Sequence, residues 1–158
     1  MSFVEIISNK PVLIGLHLGF AIVGIDGFLW MLGEIYNEFP RKKILLYSSI
    51  IGTIGFIASW LAGGYYYVMY YGNLVKPVIK AGTAPWAHAI IMESKEHVFL
   101  FLVPLAITAF FITLLSDEEY VFFKIKSLTQ KLVFVIALLG LLVGAMGFII
   151  SAAARWGV

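Results

Sequence analysis

The last long apolar segment of the chain decides the fold class. It runs from Leu132 to Ala154, reads LVFVIALLGLLVGAMGFIISAAA, and contains no charged residue. A helix needs about 20 predominantly apolar residues to cross the hydrocarbon core of a bilayer, so this segment is long enough to span one. Lipid cannot satisfy free backbone groups, and a helix is therefore the expected conformation.

Three further segments have the same character. The chain has 158 residues, of which 61% are hydrophobic and 13% are charged, whereas soluble domains carry about 25% charged residues. This composition excludes an ordinary soluble globule, a disordered chain and a nucleic-acid-binding protein. The predicted spans are about 12–36, 44–70, 97–115 and 132–154, with a long connection at 71–96. We therefore predict an all-α integral membrane protein with a single domain, residues 1–158, folded in the lipid bilayer as an antiparallel four-helix transmembrane bundle.

Four spans place both chain termini at one membrane surface. We name this surface, which also carries the connection at 71–96, the termini side, and we name the opposite surface the loop side. The short loop after the first span contains Arg41, Lys42 and Lys43, and basic residues in short loops favour the cytoplasmic side of a membrane. The sequence thus predicts a multi-pass protein of the cell membrane with both termini outside the cytoplasm.

Small residues recur at helical spacing along three of the spans. Because lipid provides little hydrophobic drive between helices, such residues are expected where helices pack closely. The stripes are Gly15, Gly19, Ile22, Asp26 and Gly33 in the first span, Gly52, Gly55, Ser59 and Ala62 in the second, and Gly140, Gly144, Gly147 and Ser151 in the fourth.

Two histidines are the most informative polar residues, because an ionisable group within a span is costly and often functional. His17 and His97 lie on spans that run in the same direction. Each lies 18 residues before the loop-side end of its span, which places both about 27 Å from that end. Two imidazoles at one depth can bind a haem iron from both faces.

Residues beside His17 are suited to a flat macrocycle. Ala21 and Gly24 leave room for it, and Phe20 and Phe28 can pack on its edges. The helix count and the histidine pair resemble those of four-helix membrane b-type cytochromes. This resemblance implies haem b held by His17 and His97, and electron transfer to a quinone or an external redox protein.

A metal ion without haem is the first alternative. On a straight helix Glu93, Glu96 and His97 fall within about a third of the circumference, whereas His88 points nearly opposite His97. With His17 they form a set of two histidines and two carboxylates, which suits an Fe, Cu or Zn ion. His88 is predicted as a candidate ligand of a second metal centre. The chain would then be a non-haem, oxidase-type subunit.

Asp26 lies nine residues after His17, and this separation turns a helix by about 180°. The sequence predicts either a proton relay through Asp26 or a hydrogen bond from it to Ser59 or Thr53 on the second span.

A non-catalytic accessory subunit is the third interpretation. The tyrosine-rich connection at 71–96 would then dock a partner in a larger membrane complex or a homo-oligomer. No paired nucleophile and base and no phosphate-binding glycine motif is visible in the sequence, so an enzymatic role is expected only as an electron-transfer or oxidoreductase subunit.

Overall fold

The computed structural model describes residues 2–156, and it is all-helical. This confirms the predicted all-α class. Four of the helices are long and apolar enough to cross a membrane, which suggests a multi-pass membrane protein. The helices are α1 (Phe3–Ile7), α2 (Lys10–Ile35), α3 (Lys42–Ala81), α4 (Ala87–Thr113), α5 (Asp117–Phe122) and α6 (Lys126–Trp156).

The two short helices begin at strong capping signals. Ser2 precedes α1 and Ser116 precedes α5, and each serine side chain accepts a hydrogen bond from the backbone N–H of a glutamate three residues later. The same glutamates, Glu5 and Glu119, accept from the serine backbone N–H groups. These reciprocal bonds satisfy donors that a helix start would otherwise leave free.

The segment 71–96, expected to be a long connection, is helical over most of its length. α3 continues through a π-helical segment, Tyr67–Val75, to Ala81, and α4 opens with a second π-helical segment, Ala87–Met92. The link at 82–86 contains Gly82, where the chain turns to an extended conformation. The charged residues of this segment lower its hydropathy, but lysine and glutamate are good helix formers. The apolar pattern of the sequence therefore ends before the helix does.

α3 is longer than a membrane-spanning helix needs to be. Its 40 residues correspond to about 60 Å of helix, whereas the hydrocarbon core of a bilayer is about 30 Å thick.

The four long helices pack around a shared apolar core. α2 and α4 each contact both α3 and α6. Residue numbers rise along α2 as they fall along α3, since Gly27 lies against Gly52 and Gly24 against Gly55. Phe28 stacks on Phe56 with ring centroids 5.6 Å apart at the centre of this core. A second, smaller core lies on the termini side and contains Tyr71, Ile79, Ala87, Met92, Ile150 and Ala153.

The small-residue stripe predicted for the first span lies on a face of α2 that does not contact another helix. A Cβ atom added at Gly15, Gly19 or Gly33 would meet nothing within 4 Å. The contact with α3 uses Gly24 and Gly27 instead. Two glycine faces occur on this helix, and spacing alone does not show which one meets a neighbour. On α3 the predicted Gly52 and Gly55 do form the contact.

We expect Gly27→Ala to destabilise the protein. A Cβ at this position would lie 2.5 Å from the backbone nitrogen of Gly52, so α2 and α3 would have to separate. Overpacking of this kind costs about 1–3 kcal/mol. Thermal unfolding in detergent measures the effect, and Gly19→Ala, on the open face of the same helix, is the matched control. Equal melting temperatures for the two variants would contradict the close helix contact.

Candidate functional site

Ionisable and hydroxyl side chains concentrate at the termini-side end of α2, α3 and α4. We name this group the polar cluster. Its members are His17, Ser59, Tyr67, Tyr71, His88, Glu93, Lys95 and Glu96.

The inner part of the cluster joins three helices through His17. The Nδ1 of His17 lies 2.9 Å from the backbone oxygen of Ser59, and because that oxygen only accepts, Nδ1 carries the proton. The Ser59 hydroxyl donates to the backbone oxygen of His17 at 2.9 Å. On the other side of the ring, Lys95 Nζ lies 3.5 Å from Nε2. A neutral His17 ring therefore accepts from the lysine and donates to α3.

The outer part of the cluster is a carboxylate, an imidazole and a phenol in series. The hydroxyl of Tyr71 lies 3.2 Å from His88 Nδ1, and His88 Nε2 lies 4.0 Å from Glu93 Oε1. Tyr71 is 2% and His88 5% exposed. Because a carboxylate only accepts, a neutral His88 ring places its proton on Nε2 and accepts from Tyr71 at Nδ1.

The π-helical turn of α4 explains why sequence reasoning separated His88 from the glutamates. Residues five apart lie about 140° apart around an α-helix, but π-helical hydrogen bonds join residues five apart. His88 and Glu93 therefore lie on one face of the helix. Single π-helical turns occur frequently at functional sites.

Glu96 links the two parts of the cluster. Its carboxylate lies beside the Tyr67 hydroxyl, and Tyr67 stacks on Tyr71 with ring centroids 5.2 Å apart. It also lies close enough to Lys95 for the two charges to interact. The Oε1 atom of Glu96 is buried, and none of residues 2–156 gives it a hydrogen bond. Leaving such an oxygen unpaired costs about 1–3 kcal/mol, so Glu96 is the strained member of the cluster.

The structure does not bring His17 and His97 together. His97 is exposed, and its Nδ1 donates to the backbone oxygen of Glu93 at 2.6 Å. Lys95 is the α4 residue that faces His17, and two residues turn an α-helix by about 200°. Axial binding of one iron by both imidazoles would therefore require α4 to rotate by about half a turn.

Two of the four residues predicted to line a haem slot, Gly24 and Phe28, pack against α3 instead. Phe28 is fully buried in its stack with Phe56, and Gly24 lies against Phe56 and Gly55. Ala21 is partly buried, and Phe20 is exposed. With α3 occupying this face, the described residues do not fit a haem between His17 and His97.

The alternative metal set also stays apart. Within residues 2–156, no three histidine, aspartate or glutamate side chains converge closely enough to hold a metal ion. The ammonium group of Lys95 lies where a metal bound to His17 Nε2 would have to be. Glu93 faces His88 rather than His97. The predicted Fe, Cu or Zn ion thus has no assembled ligand set in the described part of the chain.

Asp26 lies on the outer surface of α2. The expected hydrogen bond to Ser59 or Thr53 is not formed, since the Ser59 hydroxyl bonds to His17 and Thr53 donates to the backbone oxygen of Ala106. A proton relay through Asp26 would therefore begin outside the polar cluster.

Sequence reasoning did not predict Ser59 or Lys95 as a partner of His17, or Tyr71 as a partner of His88. The depth of Lys95 was a signal, because it lies within two residues of the level expected for His97, but its face was not, because two residues turn an α-helix by about 200°. Tyr71 offered no signal, because it follows a run of tyrosines typical of a membrane interface.

Comparison with protein-family models, with curated proteins and with solved structures finds no match for this chain.

We expect Ser59→Ala to loosen the inner part of the cluster. The substitution removes the hydroxyl that bonds to His17 and leaves the backbone oxygen as its only partner on α3, at a cost of about 1 kcal/mol. Thermal unfolding and the imidazole nitrogen NMR signals of His17 report the change. Ser127→Ala, at an exposed position of α6, is the control. Identical behaviour of the two variants would show that Ser59 does not hold His17.

Proposed function

We propose that this chain is an antiparallel four-helix transmembrane bundle of the cell membrane that exchanges protons between its termini-side surface and the bundle interior. Four long apolar helices and the opposite residue order in the contacts of α2 with α3 support the architecture. The observation that carries the function is the series Tyr71, His88 and Glu93, which leads to a carboxylate oxygen of Glu96 that lacks a partner.

Each member of the cluster can give up one proton and take another. Glu93 is half-exposed, with 48% of its side chain accessible, and forms the entrance. An imidazole accepts a proton at one nitrogen and releases one from the other. With its proton on Nε2, His88 accepts a proton from the Tyr71 hydroxyl at Nδ1 and releases one from Nε2 towards Glu93. The tautomer with the proton on Nδ1 carries a proton in the opposite direction, from Glu93 to Tyr71. The gap of 4.0 Å at Glu93 is longer than a hydrogen bond and needs a bridging water or a side-chain rotation.

The route continues from Tyr71 to the inner part of the cluster. Tyr67 and Glu96 lie next in order, followed by Lys95 and His17. Tyr67 stacks on Tyr71, Glu96 lies beside the Tyr67 hydroxyl, and Lys95 Nζ lies 3.5 Å from His17 Nε2, at the outer limit of a hydrogen bond. Among residues 2–156, Tyr71 and Tyr67 are joined by ring stacking and Glu96 and Lys95 by charge alone, so proton transfer at these two steps needs a bridging water.

Beyond His17 the interior is mainly apolar, and its buried hydroxyls, among them Ser49 and Thr53, bond to groups outside the polar cluster. Phe28, Met31 and Phe56 fill the bundle between His17 and the loop side, and no chain of polar side chains among residues 2–156 crosses this region. The cluster therefore opens to one surface only. Such a site suits a protein that supplies protons to a reaction, or removes them from it, at the termini side.

Electron transfer to a quinone or an external redox protein stays a prediction from the sequence. Reduction of a quinone consumes protons, so proton exchange is compatible with that partner and also with a subunit of a larger membrane complex. Haem b and a bound metal ion are not part of this proposal, because the described residues assemble neither site.

Infrared difference spectroscopy after a pH jump tests the relay in the reconstituted protein. We expect a protonated-carboxyl band that disappears in Glu96→Gln. In Tyr71→Phe the band should remain but form at least about tenfold more slowly, because positioned acid–base groups accelerate proton transfer about 10²–10⁴-fold. The Tyr71→Phe change keeps the ring stacked on Tyr67 and removes only the hydroxyl.

Two matched variants serve as controls for this experiment. Glu38→Gln removes an exposed loop carboxylate, and Tyr70→Phe removes a hydroxyl that bonds to the Ser8 backbone oxygen outside the cluster. Neither should change the band or its rate. A carboxyl band that survives in Glu96→Gln, or a rate unaffected by Tyr71→Phe, would overturn the proposal.

A proton-flux measurement tests whether the polar cluster opens to one membrane surface only. Liposomes that contain the protein and an entrapped pH-sensitive dye should show no more proton leak than empty liposomes, because the apolar core between His17 and the loop side interrupts the route. A protein-dependent leak that Glu96→Gln abolishes would show instead that the route crosses the membrane.

A further inference from the structure

A cavity of about 210 Å3 lies at the loop side, at the opposite end of the bundle from the polar cluster. It is bounded by the ends of α2, α3, α4 and α6, and α5 contributes to its rim. Met31, Ile35, Leu45 and Ile112 form its apolar walls. The cavity thus offers space for an apolar chain next to a polar rim.

Two lysines define the charge of this rim. Lys42 and Lys126 line the cavity, and they are the first residues of α3 and α6. The first turn of a helix has free backbone N–H groups and a partial positive charge. α3 has no side-chain cap. The backbone N–H of Arg41 donates to Glu34, and those of Ile44 and Leu45 donate to the Arg41 carbonyl, so the N–H groups of Lys42 and Lys43 are the ones available to an anion.

Acidic residues near the rim do not cancel this charge. Asp117 lies 3.4 Å from Lys42, but the two side chains are 91% and 49% exposed, and exposed ion pairs are weak. Arg41 is held by Glu34 at 2.8 Å and does not contribute. Among the residues that line the cavity, the two lysines Lys42 and Lys126 outnumber the one carboxylate, Asp117. Glu119 also lies within electrostatic reach of Lys42, but it is not a lining residue and its carboxylate accepts from the Ser116 backbone N–H.

The surroundings of the rim point to lipid rather than to water. Val121, Phe122 and Phe123, in and directly after α5, are 73%, 79% and 57% exposed. A short helix with exposed apolar side chains beside a membrane-spanning bundle lies in the lipid interface. The cavity mouth therefore lies at the level of the phospholipid headgroups.

We propose that this cavity binds an anionic phospholipid. The phosphate lies at the rim between Lys42 and Lys126, and part of one acyl chain lies against the apolar walls. Basic sites between transmembrane helices are known to hold acidic lipid headgroups. This site is separate from the polar cluster, so its failure leaves the proton-exchange proposal unchanged.

Native mass spectrometry of the full chain tests the site with defined lipids. We expect phosphatidylglycerol to remain bound under conditions that release phosphatidylcholine. Retention of phosphatidylglycerol should fall by about tenfold or more in the double variant Lys42→Gln, Lys126→Gln, since each lysine contributes about 1 kcal/mol to the binding of acidic lipid. The variant Lys43→Gln, Lys131→Gln removes the same charge from residues outside the cavity and should retain the lipid.

Three outcomes would overturn the proposal. Equal retention of phosphatidylcholine would show that the charge of the rim does not discriminate between anionic and zwitterionic lipids. Equal loss in both double variants would show general attraction to a basic surface. Displacement of the lipid by glycerol phosphate at comparable concentration would show that the acyl chain adds nothing and that the cavity is not occupied.

Discussion

The close approach of α2 and α3 is the contact on which the rest of the structure depends. Gly27 lies against Gly52, and at the termini-side end a Cβ atom at Gly63 would lie 2.5 Å from His17 Nδ1. Dispersion forces act only over short distances, so in an apolar solvent glycines allow the tightest packing. The same contact places the imidazole of His17 within hydrogen-bonding distance of α3.

The termini-side end is where ionisable side chains of three helices come together. Two π-helical segments, Tyr67–Val75 and Ala87–Met92, present Tyr71 and His88 to each other outside the thickest apolar packing. A buried polar group needs a partner, and most members of the cluster have one. Among residues 2–156 the exception is Glu96 Oε1, and the low dielectric of the interior makes such an unpaired oxygen costly.

Several residues of the polar cluster could be named from the sequence, but their partners could not. His17, His88, Glu93 and Glu96 attracted notice because ionisable groups are rare in apolar spans. The predicted depth of His17 was informative. The α4 residue that faces it is Lys95, only two residues from His97, which was expected at that depth. Which face of α4 turns inward depends on contacts with α3 and α6, and a helix with apolar residues on all sides carries no such signal.

The sequence by itself determined the class of the fold, because long uncharged apolar segments can form only helices in lipid. It also determined the number of long helices. Only the tertiary structure decided which glycines pack, that α3 and α4 extend through 71–96, and that His17 meets Lys95 rather than His97. Hydropathy reports how a segment partitions between water and lipid, whereas helix rotation and π-helical turns are set by side-chain packing between neighbouring helices.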